Sequence, residues 1–489
     1  MRIALVSSEA VPFAKTGGLA DVAGTLFREF WHLGHDVVLF LPYYRAVKNR
    51  WGRSLSEACP SFSVQLGDSS VTCRALSLDK LPFANKAGRR PAGQRGQVVF
   101  IEHDAFFDRD ELYATAEGAY PDNRDRFIFF AKAAVEAMQR CGPAFDVVHC
   151  HDWQTGLIPL YLKTLWSGAA AFFHTRSVFT IHNLGYQGLF PADSLPLTGL
   201  GWEHFTMDGI EFFGQVNLLK AGIVGADAIT TVSRTYAREM LTPEQGFGLD
   251  GILRKRSEVL FGIVNGIDYA EWTPFTDPFI PSRYSSTHLT GKSWCRRTFV
   301  KEHPLGGGLD RPLLSFIGRL ADQKGVDVLV EVIPALIEEE GCNVAIIGKG
   351  IARLQEAMAA LKGRYPDAMH LTLGFDEKLA HSLYAASDIF LMPSQYEPCG
   401  LGQMIAMRYG TVPVARRTGG LTDTIEDGVT GFLFDDYSAD AFLICIRSAL
   451  AAWKDKRSWR LMVRAAMDQD FSWERSAKEY CRLYMDGRV

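Results

Sequence analysis

The sequence predicts an α/β protein made of two doubly wound domains that face one another across a cleft. Three observations lead there. Short apolar runs alternate with helical patterns along nearly the whole chain. The alternation occurs in two blocks, on either side of a Pro- and Gly-rich stretch between 268 and 310. The first strand of each block is followed by basic residues beside glycines. Strand–helix alternation implies parallel sheets with helices on both faces. At 489 residues, the chain is also too long for one ordinary core.

The first strand lies within "RIALVSS", Ile3 to Ser7, a short apolar run of the buried-parallel type. The helix after it, "ADVAGTLFREFWHLG", lines up Leu19, Val22, Ala23, Leu26, Phe27 and Phe30 on one face. Lys15, Thr16, Gly17 and Gly18 therefore fall on the loop at the C-terminal end of the strand, where open α/β sheets bind ligands. A helix N-terminus beside a lysine favours an anion. An isolated KTGG reads equally well as a tight loop with a solvated lysine. Further strands follow in "DVVLFLP", "QVVFIEH", "DVVHCHD", "SVFTIHN", "AITTVS" and "FGIVNGID". The second block offers "LLSFIGRL", "NVAIIGKG", "HLTLGF", "DIFLMPS", "TVPVARR" and "GFLFDD". Helices such as "RDRFIFFAKAAVEAMQRC" and "VDVLVEVIPALIEEEG" lie between them. Because "SWCRRTFVKEH" already reads as a helix, the domain boundary is placed near 262. The domains are then 1–262 and 263–470, with a last helix in 471–489.

Composition narrows the classes of function. A chain 47% hydrophobic and 22% charged is ordinary globular material. Its net charge of −4, without long runs of one sign, argues against nucleic acid or an anionic membrane as partner. Nine scattered cysteines, an odd number without a C-x-x-C pair, fit a reduced cytoplasmic setting rather than a disulfide framework or zinc site. No signal-peptide pattern is visible, and no apolar run approaches the roughly 20 residues that span a bilayer.

The loops lack G-x-G-x-x-G and G-x-x-x-x-G-K-[ST], so neither a dinucleotide fingerprint nor a P-loop is present. "FIGRLADQKGVDVL" instead sets Arg319 and Lys324 on the loop after a strand ending at Gly318. Two such cations suit a diphosphate, the arginine as a planar fork and the lysine as a point charge. In "SQYEPCGLG", Glu397 precedes the amides of Cys399, Gly400 and Leu401, and a helix opens at about Gly402. "TGGL" repeats the arrangement with Thr418 and Gly419. A carboxylate beside amide-rich turns suits a ligand bearing sugar hydroxyls and phosphate. Glu397 alone reads equally as a carboxylate favoured by a helix dipole. "DRD" at 108–110 has the spacing of a metal-binding Asp-x-Asp, but no second acidic cluster accompanies it.

Taken together, KTGGLADV, HDWQTG (151–156), FTIHNLGYQG (179–188), VNGID (264–268), GRLADQKG, EPCGLGQM and TGGL (418–421) resemble the bacterial glycogen synthases and plant starch synthases. The motifs occur in the family's order, from about Ile3 to the final helix. The resemblance implies the GT-B fold of two Rossmann-like domains, with "FSWERSAKEYCRLYMD" crossing back onto the first. It implies retaining transfer of glucose from ADP-glucose to the non-reducing 4-hydroxyl of an α-1,4-glucan, without a metal or other cofactor. Lys15 and the Gly17–Gly18 turn would contact the donor's phosphates, and Arg319 and Lys324 would neutralise the departing diphosphate. The carbonyl of His182 would favour positive charge developing on the sugar. Asn265 and Glu397 would hold sugar hydroxyls, and Asp152 would lie on the acceptor side, although it reads equally as a helix N-cap. Asp21, Asn183 and Gly318 join the substrate-binding set. Phe375 would stack on the base where the family usually has tyrosine, and Gly402 stands where it often has threonine. The loop 166–176 looks long. A neighbouring family, making sucrose or maltose 1-phosphate, often carries a second glutamate where this chain has Ile405. That family, and UDP-glucose as donor, are the alternatives.

Overall fold

The computed structural model describes residues 1–78, 80–82, 95–115 and 118–487. They form two compact units. One comprises Met1–Val232, Ala237–Ile263 and Ser476–Val489, the other Ser233–Tyr236 and Val264–Arg475. The stretch 268–310 lies inside the second unit, where Thr290–Glu302 is a helix. Among the described residues no helix is long and apolar enough to cross a membrane.

The first unit is built on a nine-stranded sheet. From one edge its strands are Leu260–Gly262, Ala228–Thr231, Arg176–Ile181, Val147–His151, Arg2–Val6, Asp36–Pro42, Gly96–Glu102, Ser69–Leu78 and Ser56–Leu66. The first seven pair in parallel. The last two add an antiparallel hairpin, which the all-parallel expectation lacked. These two strands alternate buried and exposed residues over much of their length, because one face meets water. They carry none of the continuous apolar runs that mark the other strands. The strand expected from "FGIVNGID" shortens to Leu260–Gly262.

The order reverses between Arg2–Val6 and Val147–His151: later strands run outward from Arg2–Val6 on one side and from Val147–His151 on the other. Ligands bind at such a switch point, outside the carboxyl ends of the strands. The helix Gly18–His32 buries Leu19, Val22, Leu26, Phe27 and Phe30, the face read from its periodicity. The final helix, Trp473–Asp486, enters this unit from Ser476 onward. There Tyr484 packs on Phe30, with ring centroids 5.4 Å apart, and its hydroxyl lies 2.6 Å from His149 Nδ1.

The second unit holds six parallel strands in the order Met369–Leu373, Asn343–Gly348, Leu313–Ile317, Ile389–Met392, Val412–Arg416 and Phe432–Phe434. Here the order reverses between Leu313–Ile317 and Ile389–Met392, which pair directly. The loops leaving those two strands are the ones that carry Arg319, Lys324 and Glu397.

Candidate active site

In the second unit, Lys324 Nζ lies 2.5 Å from Glu397 Oε2, and Ser394 Oγ donates to the same oxygen at 3.1 Å. The two loops can meet this closely because Gly325 sits at φ +68°; a Cβ there would fall 1.9 Å from the Pro393 carbonyl oxygen. The amide of Gln395 donates to the Gln323 carbonyl at 2.9 Å, fastening the loops a second time. A third loop holds the Glu397 backbone. The Gly420 amide donates to the Glu397 carbonyl at 3.0 Å, and a Cβ on Gly419 (φ +44°) would fall 1.9 Å from that oxygen. The backbone of Glu397 is thus held by the third loop, while its carboxylate takes Lys324 and Ser394 on one oxygen. It is not a helix N-terminal carboxylate, since the next helix starts only at Gly402 and the side chain goes to Lys324 and Ser394.

Arg319 is exposed, and its Nη2 donates to Gln323 Oε1 at 3.0 Å; among the described residues no carboxylate pairs with it. The amides of Cys399, Gly400 and Leu401 have no protein acceptor among the described residues. Asn265 is buried beside the Cys399 thiol, and its Oδ1 likewise lacks a partner. Phe375 follows the strand Met369–Leu373 and is 76% exposed. Gly318, Thr418 and Gly419 lie at the carboxyl ends of their strands, as their motifs placed them. Sequence reasoning missed Ser394, Gln323 and Ser233, whose hydroxyl donates to the Pro398 carbonyl at 2.6 Å. The contacts from Ser233 to Pro398 and from Gln395 to Gln323 join segments far apart in the chain, and Ser394 reaches Glu397 only within its own folded loop.

In the first unit, Lys15 Nζ pairs with Asp21 Oδ1 at 2.7 Å, both side chains remaining partly exposed. The KTGG loop holds a surprise. Glu9, buried and unmarked by any motif, accepts the amides of Thr16 at 2.5 Å and Gly17 at 3.3 Å and the Thr16 hydroxyl at 3.0 Å. Two donors that the sequence appeared to offer an anion are therefore already spent on a carboxylate. Tyr113 donates to Glu9 as well, at 3.0 Å.

Across the switch point, Asp152 follows the strand Val147–His151 with φ +57°, a backbone state few non-glycine residues adopt. It is not a side-chain N-cap. Its Oδ1 accepts the His182 amide at 2.7 Å, and the Asn183 amide also contributes. Burial pushes its carboxyl up to about 7, and the charge of Glu9 adds to the shift. His182 follows the neighbouring strand Arg176–Ile181; burial lowers its imidazole to about 3, and its Nε2 lies 3.0 Å from His151 Nδ1. Asn183 Oδ1 accepts the Gly185 amide at 2.9 Å, which turns the loop. The "DRD" acids face basic partners: Arg45 contacts Asp108 at 2.6 Å and Asp110 at 2.5 Å, and Lys48 contacts Asp108 at 2.9 Å.

Comparison with known proteins agrees with this layout. The family described as the starch synthase catalytic domain matches residues 2–255, and glycosyl transferases group 1 matches 302–463. Two Rossmann-like units with these loops define a GT-B glycosyltransferase. The chain is 47% identical over 486 residues to the glycogen synthase of Thermodesulfovibrio yellowstonii, covering 99% of this chain and 97% of that one. It is 44% identical over 490 residues to the glycogen synthase of Koribacter versatilis, covering 99% and 98%. Among solved structures it resembles the catalytic domain of starch synthase IV from Arabidopsis thaliana bound to ADP and acarbose. That match has a TM-score of 0.87 and 32% identity, covering 99% of this chain and 98% of the other. A sucrose-phosphate synthase from Thermosynechococcus elongatus, at 17% identity and a TM-score of 0.60, shares the fold alone. The chain belongs to the glycogen and starch synthase family.

Proposed function

We propose that this glycosyltransferase moves glucose from ADP-glucose to the non-reducing 4-hydroxyl of an α-1,4-glucan, with retention at the anomeric carbon. The observation that carries the reading is the Lys324–Glu397 pair, with Arg319 beside it, at the switch point of the second unit. Family membership and the ADP and acarbose held by the Arabidopsis relative favour these substrates. Arg319 and Lys324 take the diphosphate, with Gly318 at the head of their loop. Glu397 and Asn265 take sugar hydroxyls, and the amides of Cys399, Gly400 and Leu401, which have no acceptor among the described residues, add donors. Thr418 and Gly419 set the edge of this pocket, and Phe375 stacks on the base. Phenylalanine preserves the stacking and loses the hydroxyl of the family's usual tyrosine.

In the first unit Lys15 and Gly18 are assigned to donor phosphate, with Gly17, whose amide is held by Glu9, leaving the phosphate room to approach, and Asp21 as the resting partner of the lysine. The neutral His182 offers its carbonyl to the sugar as positive charge develops there. Asp152 orients the His182–Asn183 segment through its amides and stands on the acceptor side. The bond from the anomeric carbon to the diphosphate breaks through an oxocarbenium-like state. The leaving phosphate accepts the proton of the incoming hydroxyl on the same face, giving ADP and a glucan longer by one glucose. Fixed cations stabilise the leaving group, each such donor being worth about 10²–10³ in rate. The test is incubation of glycogen with glucose-labelled ADP-glucose or UDP-glucose, counting label in polymer. Greater incorporation from ADP-glucose is expected. Equal or better use of UDP-glucose would overturn the donor assignment, and no label in polymer from either would overturn the reaction.

A further inference from the structure

We propose that Glu271, Glu377 and His381 of the second unit bind one divalent transition-metal ion, zinc by the chemistry of the donors. Glu377 opens the helix Glu377–Ala386 and His381 lies one turn later, so the two share a face. Glu271 sits in the turn 268–272, where its amide donates to the Asp268 carbonyl at 3.1 Å. One ligand atom from each of the three residues lies within 4.8 Å of the others.

Two exposed carboxylates alone would be unremarkable; the histidine makes the difference. His381 is 1% exposed. Its Nδ1 is occupied by Asp277 Oδ2 at 2.8 Å, with the Tyr409 hydroxyl at 3.2 Å. Its Nε2 is buried and has no hydrogen-bond partner among the described residues. The Trp272 ring stacks on the imidazole at 4.0 Å and 13°, fixing the plane of the ring. An aspartate on Nδ1 selects the tautomer that leaves a lone pair on Nε2, the arrangement in which a carboxylate orients a metal-binding histidine.

One imidazole and two carboxylates form a borderline set that suits zinc, with a fourth position left for water. Ligands of a tetrahedral zinc stand about 3.4 Å apart at bonds near 2.1 Å, so the carboxylates need to close by up to about 1.4 Å. Both belong to exposed side chains, which can rotate inward and leave the ion a path from solvent. The ion would clip the turn after Asn265 to the helix that starts two residues beyond Phe375. Its role is structural and independent of glucosyl transfer.

The experiment strips the full-length protein with EDTA, desalts it and titrates it with zinc chloride. Bound zinc after gel filtration and thermal unfolding are both read. One zinc per chain and a raised Tm are expected. The double variant Glu271→Gln/Glu377→Gln keeps the size of both exposed side chains, so it should fold, and its Tm should not rise with zinc. It should bind zinc at least about tenfold more weakly. Failure of the wild type to retain zinc, or equal affinity in the double variant, would overturn the site.

Discussion

Asp152 is a carboxyl that burial holds near half-protonation at neutral pH, at the end of a strand facing the switch point of the first unit. Its value is about 7 in the fold against 3.8 for the ordinary group, so folding retains a proton between those limits. The favourable contribution is fully present below the unfolded value and is lost as pH rises through about 7. Asp152→Asn removes that dependence. The difference in urea-unfolding free energy between variant and wild type should shift toward the variant from pH 5 to pH 8, while transfer activity falls. A difference that is flat with pH would refute the role of burial. His182 and His149, each lowered to about 3 by burial, act in the opposite direction, losing stability as pH falls below 6.5. They are unchanged in the variant and cancel in the difference. The loop positions of Lys15, Arg319, Lys324 and Glu397 were legible in the sequence because each loop connects an apolar strand to a helix. Glu9 was not, since its partners appear only once the loop folds back over it.

The loops divide glycines into two kinds, and substitution separates them. Gly325 and Gly419 have positive φ and no room for a Cβ, being pressed against the Pro393 and Glu397 carbonyls. Alanine at either should cost at least about 2 kcal/mol, read as a lowered Tm. Gly17 has neither constraint: its φ is −153° and an added Cβ would meet nothing within 4 Å. Gly17→Ala should therefore keep the wild-type Tm and raise KM for the donor, because the extra methyl would obstruct an approaching phosphate. A wild-type KM would release Gly17 from the site. The parallel strands and their helices were readable because continuous apolar runs and a 3.6-residue period are strong local signals. The hairpin Ser56–Leu66 and Ser69–Leu78 escaped notice because its half-wet strands mix polar residues into the pattern.

At the scale of the molecule, the chain returns to its first unit through the helix Trp473–Asp486. Tyr484 meets His149 there, and Thr180 Oγ1 lies 2.6 Å from the other ring nitrogen of that histidine. Tyr484→Phe strands a buried Nδ1 and should destabilise the first unit by about 1–3 kcal/mol, measured by denaturant unfolding; no loss would mean that another group satisfies that nitrogen. The central claim concerns charge aimed at a diphosphate, and Arg319 tests it most cleanly. Lys15 and Lys324 each hold a carboxylate, so removing them also disturbs an ion pair. Arg319 is exposed and bonds only the neutral Gln323 among the described residues. The decisive measurement is kcat for glucose transfer from ADP-glucose to glycogen by Arg319→Gln, alongside its Tm. The account predicts a fall in kcat of about 10²–10³ with the Tm unchanged. A variant with wild-type kcat would contradict it.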